Sequence, residues 1–202
     1  MSNVDTNLIT NQIVLNKSRN KTIVFIHGFY ANAGFWLPYL PYFKGYKIVL
    51  LNINYSVLLN SKEQIGVITE NINALRFDDG VVAVISHSLG TIISNFIYDH
   101  SNCVYFDICP VAYSNRSDTN GFINDILFRV GETEKNIRNN LMLVDLLICN
   151  SKEFILNNKL FFIPDSDQYF TYQKTSNREF IFKGNHFEIT NAISHITDML
   201  KV

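Results

Sequence analysis

Val81-Val82-Ala83-Val84-Ile85-Ser86-His87-Ser88-Leu89-Gly90-Thr91-Ile92-Ile93 is the stretch on which the reading of this chain turns. Five apolar residues run into a small-x-Ser-x-Gly turn, and an apolar stretch of helical character follows. Strand, sharp turn, helix is the context in which a serine of this motif reads as a nucleophile. On so tight a turn the serine sits in strained backbone, with its hydroxyl pushed out above the sheet. The residues two before and two after it must be small, or strand and helix collide. Gly90 meets that need, and Ser86 stands where glycine is usual. Ser88 is therefore the nucleophile candidate.

Working outward, residues 21–26 form a short β-branched and aromatic run that reads as a buried strand. It stops abruptly at His27-Gly28-Phe29, the start of an aromatic-rich loop to Trp36. Pro38 and Pro41 then mark a helix with proline in its first turn. Residues 46–52 are a second apolar strand, 52–60 a loop, and 63–75 an amphipathic helix carrying Ile65, Ile68, Ile72 and Leu75. Asp78-Asp79-Gly80 is a turn into the strand before Ser88. Ahead of all these, residues 7–15 are an edge strand or hairpin, and Lys17-Ser18-Arg19-Asn20 is a turn. Past the elbow, 89–100 reads as a helix and 104–109 as a strand stopped by Pro110. Residues 114–158 break the alternation, with candidate helices at 122–128 and 137–156, and are too long for an ordinary connection in a sheet of this kind. They read as a small helical cap within a single domain. Strands resume at 159–164 and 179–183, and a helix from 191 closes the chain. Nearly continuous apolar strands alternating with helices give an α/β class with a mostly parallel sheet covered on both faces.

Composition narrows the function. The 202 residues carry a formal net charge of -1 and 47% hydrophobic residues, with 16 Phe and 10 Tyr. That suits a globular protein with a large core and argues against a nucleic-acid partner, which calls for a basic excess. No apolar run approaches the roughly 18 residues of a membrane span. The polar first residues lack a signal-peptide pattern, so the expected location is cytoplasmic. Cys103, Cys109 and Cys149 are odd in number and lack CxxC spacing. They indicate neither a disulfide framework nor a zinc site, and no cofactor or metal is expected.

A serine nucleophile needs a base, and the base an orienting acid. Of five histidines, His87 adjoins the serine and must point elsewhere. His27 reads as a packing and hydrogen-bonding residue, His100 and His195 as surface or helix-end residues. His186, in Lys183-Gly184-Asn185-His186-Phe187, follows the last strand, at the sheet edge where catalytic groups gather in parallel sheets. It is the expected base. The acid should follow the preceding strand, where Asp165 and Asp167 compete and spacing alone barely separates them; Asp107, inside a strand, is a third option. Backbone N–H groups of Leu89 and Phe29 can form an oxyanion hole.

Strand–His-Gly, a small-x-Ser-x-Gly elbow, a strand-end Asp and Gly-x-His, in that order, resemble the α/β-hydrolase family over nearly the whole chain from residue 21. Within it, residues 27–36 resemble the corresponding loop of small esterases with one compact cap, such as pimeloyl-acyl-carrier methyl ester esterases and thioesterase-like hydrolases. The resemblance favours Asp167 over Asp165, because Pro164, Asp167 and Phe170 match the family's frame around its acid. Two departures stand out: Ser86 replaces the elbow glycine, and the Asp-to-His interval is short. The resemblance implies a serine esterase or thioesterase acting through Ser88, His186 and Asp167 on a small-molecule or carrier-linked acyl ester. It also implies an acyl carrier protein as a possible partner and a place in biotin biosynthesis. The cap carries Arg116, Arg129, Lys135, Arg138 and Lys152, but its acidic residues leave it without net basic charge. The alternatives are a non-hydrolytic lyase on the same scaffold and a non-catalytic ligand-binding member.

Overall fold

Alternation of side chains along the strands places an apolar row on each face of the sheet, and two separate cores result. In β2 (Thr22–Ile26), buried throughout, Val24 and Ile26 join one core while Ile23 and Phe25 join the other. The same split runs through β3 (Lys47–Ile53), with Val49 and Leu51 on one side and Ile48 and Leu50 on the other. A sheet apolar on both faces must be covered on both. In this computed structural model, which describes residues 7–75, 80–97, 103–116, 119–151, 159–173 and 178–201, helices do so.

The main sheet has seven strands in the order β1-β3-β2-β4-β5-β7-β9. β1 (Ile9–Leu15) is the antiparallel edge, and every other pairing is parallel. β4 (Val81–His87) lies at its centre, between β2 and β5 (Val104–Ile108); β7 (Lys159–Pro164) and β9 (Glu179–Phe182) complete the far side. On one face pack α1 (Tyr55–Asn60), α2 (Gln64–Asn73), α3 (Gly90–Ile93) and part of α5 (Glu134–Ser151). The other face is covered by a 3₁₀ segment, Ala33–Phe43, and by α6 (Thr190–Leu200), through Trp36, Phe43, Ile193 and Ile196. Because the strands from β2 onward are parallel, the loops after β2, β4, β7 and β9 all open at one edge of the sheet. Between β5 and β7 lie α4 (Thr119–Val130), α5 and β6 (Ser114–Arg116); β6 pairs antiparallel with β8 (Phe170–Tyr172) in a separate two-stranded ribbon.

Three expectations change. Residues 55–60, read as loop, are helical, because Asn54 caps them with its side-chain oxygen on the Ser56 amide, 3.2 Å away. Residues around Pro38 and Pro41 form 3₁₀ turns in place of an α-helix, since proline cannot donate the i→i−4 bond. The elbow helix is one short turn, Gly90–Ile93, followed by the 3₁₀ turn Ser94–Phe96. Its β-branched run Thr91-Ile92-Ile93 is a poor helix former, and the Ser94 hydroxyl bonds the Thr91 carbonyl at 2.9 Å. The β6–β8 ribbon was not foreseen. Asp78, Asp79, His100, Lys152 and the end of the expected 137–156 helix lie outside the described residues. Among the described residues no helix is long and apolar enough to cross a membrane.

Candidate active site

Ser88 has φ of 52°, in the left-handed region, which is costly for a residue with a Cβ and is expected of a serine held on this turn. Two glycines allow the turn to sit so close to its neighbour. A Cβ on Gly90 would lie 2.6 Å from the His27 carbonyl oxygen, and one on Gly28 would lie 2.8 Å from Ser88 Cβ. The elbow therefore packs directly against the end of β2.

The Ser88 hydroxyl lies 3.0 Å from His186 Nε2, and His186 Nδ1 lies 2.9 Å from Asp167 Oδ2. With Asp167 ionised, Nδ1 carries the proton and donates it to the carboxylate. Nε2 is then the free acceptor facing Ser88. Asp167 is fixed by further donors: the Tyr169 and Phe170 amides reach Oδ1 at 2.8 and 3.0 Å, and the Tyr172 hydroxyl reaches Oδ2 at 2.6 Å. Burial alone would raise the Asp167 carboxyl, but the bonds from His186, Tyr172 and the Tyr169 amide outweigh it and hold the group below its ordinary value. The Gln168 side chain accepts the His186 amide at 3.3 Å.

The other candidates point elsewhere. Asp165 accepts the Gly184 amide at 3.0 Å and the Ser166 hydroxyl at 3.2 Å, tying together the turns after β7 and β9. Asp107, on the interior strand β5, pairs with Lys159. His27 accepts the Ile53 amide at Nε2 (2.9 Å) and donates from Nδ1 to the Gly28 carbonyl (2.8 Å), a structural role that burial supports by lowering its pKa. His87 turns away from Ser88 and donates from Nε2 to the His186 carbonyl at 2.7 Å. Burial, then the neighbouring His186, hold its pKa down to about 3, so its ring is neutral. His195 lies on α6. Phe29 and Leu89 line the same cavity as Ser88 and His186, and among the described residues neither backbone N–H is taken by a backbone carbonyl.

Ser86, the residue out of pattern, is fully buried and donates to Asp107 Oδ1 at 2.6 Å. Asp107 also accepts Lys159 Nζ at 2.7 Å and the Ser94 hydroxyl at 3.1 Å, and Lys159 further reaches Ser94 Oγ (2.5 Å) and the Thr91 carbonyl (3.0 Å). A polar network thus ties β4, β5 and β7 to the short helix behind Ser88. Sequence reading missed Lys159 and Ser94. The available signal was Asp107 itself, a carboxylate inside an apolar strand, which needs a partner.

Among the described residues, one group has metal-ligand spacing: donor atoms of His87, Cys109 and His186 lie within 4.8 Å of one another. Both His186 nitrogens already face Ser88 and Asp167, His87 Nε2 is donating, and burial raises the Cys109 thiol well above its ordinary pKa. These three side chains suit hydrogen bonding and packing better than coordination.

No protein-family model and no curated protein sequence matches this chain. Solved structures do. An α/β-hydrolase-fold protein from Burkholderia ambifaria aligns with a TM-score of 0.60 at 8% identity, over 94% of this chain and 92% of its own. A lipase-esterase related protein from Clostridium acetobutylicum aligns at 0.56 and 16%, over 96% and 98%. The thioesterase of the prodiginine biosynthetic pathway in Streptomyces coelicolor aligns at 0.56 and 11%, over 90% and 91%. At such identities the likeness establishes architecture, and together with the sheet order and the elbow it gives this chain the α/β-hydrolase fold.

Proposed function

We propose that this protein is a serine hydrolase of carboxylic esters or thioesters. The observation that carries the reading is the hydrogen-bonded series Ser88–His186–Asp167 at 3.0 and 2.9 Å. Ser88 attacks the acyl carbonyl while His186 Nε2 takes its proton. The Phe29 and Leu89 amides stabilise the oxyanion, each worth about 2.7–4 kcal/mol in the transition state. His186 returns the proton to the leaving alcohol or thiol, and the acyl-enzyme forms. Water, deprotonated by His186, attacks the acyl carbon; the bond to Ser88 breaks, His186 returns the proton to Ser88 Oγ and the acid leaves. Asp167 keeps Nδ1 protonated and stabilises the imidazolium without taking its proton. Residues 114–158 serve as a cap within the single domain, supported by the residues of α4 and α5 that line the cavity shared with Ser88.

Esterases and thioesterases among the similar structures support this class of reaction at the level of fold. A carrier-linked acyl methyl ester, with an acyl carrier protein as partner, is the finer reading suggested by residues 27–36. The test is hydrolysis of short p-nitrophenyl esters by the wild type, Ser88→Ala and His186→Ala. Turnover in the wild type that drops by orders of magnitude in both variants supports the reading. Turnover that survives Ser88→Ala removes it.

A further inference from the structure

The cavity above Ser88 holds about 90 Å³, room for a short chain only. Its walls are mostly apolar, with Phe122 and Ile126 from α4 and Val144 and Ile148 from α5, yet Arg116 and Arg129 also line it, and among the described residues that line it none is acidic. Arg116 turns its two terminal nitrogens outward to Asp145, at 2.8 and 3.4 Å, a carboxylate that is itself 59% exposed. Its Nε is buried and has no hydrogen-bond partner among the described residues. A buried N–H of a permanent cation without an acceptor is costly, and the cost disappears when an anion supplies one. Arg129 stands with its guanidinium carbon 4.6 Å from the centre of the Phe187 ring, beside His186. Its planar donor fork is suited to carboxylate.

Resting on the hydrolase reading above, we propose that the cavity selects acyl groups ending in a carboxylate, that is, half-esters or half-thioesters of short dicarboxylic acids, through Arg116 and Arg129. A phosphate on a long carrier arm is the other anion such arginines could meet. The small volume of the cavity favours an anion only a few bonds from the reacting carbonyl.

The test compares kcat/KM for p-nitrophenyl hemiglutarate with that for p-nitrophenyl valerate, whose chain has the same carbon count without the charge. The readout is the ratio of the two, from which any general loss of activity cancels. The ratio is expected to exceed one in the wild type and to fall at least ~10-fold, about 1.4 kcal/mol, in Arg116→Gln. Arg129→Gln, at an exposed position, should lower it as well and guards against misfolding of the Arg116 variant. A second pair, valeryl-coenzyme A against the valeryl thioester of N-acetylcysteamine, reports on the leaving-group side. A ratio at or below one, a ratio unchanged in both variants, or arginine dependence confined to the coenzyme A phosphates overturns the proposal while leaving the hydrolase reading standing. Absence of turnover with every ester removes both.

Discussion

Replacing Lys159 with methionine should cost about 3–5 kcal/mol of folding stability, the usual cost of stranding one partner of a buried ion pair. Lys159 and Asp107 are each 2% exposed, and the ammonium meets three acceptors: Asp107, Ser94 and the Thr91 carbonyl. Burial pulls the Lys159 pKa down while Asp107 pushes it back up. Methionine fills a similar volume but removes all three bonds and leaves the Asp107 carboxylate with only the Ser86 and Ser94 hydroxyls. Removing both charges, as Lys159→Met with Asp107→Leu, should recover most of the loss. The residual would be about 1–2 kcal/mol for the Ser86 hydroxyl left without its Asp107 acceptor, since Ser94 keeps the Thr91 carbonyl. The two substitutions are therefore strongly non-additive, as expected of groups in one network. Urea denaturation followed by circular dichroism reads this directly. For a slope of about 2 kcal/mol/M, the single variant should lower the midpoint by about 2 M, and the double variant by less than about 1 M. A Lys159→Met cost under about 1 kcal/mol, or losses that simply add, would refute the argument that the pair is buried and coupled.

Asp167→Asn should lower kcat by about 10⁴-fold, because an amide cannot hold the imidazole in the tautomer that leaves Nε2 free; Asp165→Asn should change it only a few-fold, and steady-state kinetics on one ester separates the two. His87 has a folded pKa of about 3 against an ordinary 6.5. Its contribution is fully present above pH 6.5 and is lost as pH falls toward 3, so thermal melts should show falling stability across that window, with a shallower fall in His87→Gln. Gly90→Ala would set a Cβ 2.6 Å from the His27 carbonyl. It should lower stability by about 2 kcal/mol or more and depress turnover, checked by melting temperature and kcat together.

The elbow and the order of elements around it were legible because they rest on local chemistry. Small residues at 86 and 90 flank Ser88, apolar strands run into loops, and Gly184-Asn185-His186 follows the last strand. The choice between Asp165 and Asp167 was not legible from spacing, since both follow β7; Tyr169, Tyr172 and His186 together decide which carboxylate faces the imidazole. The serine at position 86 looked like a defect in the motif. Its hydroxyl answers Asp107, whose other partner, Lys159, stands at the head of a strand more than fifty residues away. A lysine in that position reads as solvent-facing until the sheet order brings β7 beside β5. The helix at 55–60 was missed although Asn54 supplied a cap signal, because the segment is short and carries no clear amphipathic period. The short antiparallel ribbon joins Ser114–Arg116 to Phe170–Tyr172, a pairing between distant residues that no local pattern announces.

The most direct test of the account is reaction of the folded wild-type protein with a fluorophosphonate, followed by intact mass and peptide mapping. The geometry of Ser88 Oγ at 3.0 Å from His186 Nε2 predicts one covalent adduct, located on Ser88 and absent from Ser88→Ala and from heat-unfolded protein. No adduct on folded protein, or an adduct at another residue that persists in Ser88→Ala, would contradict it.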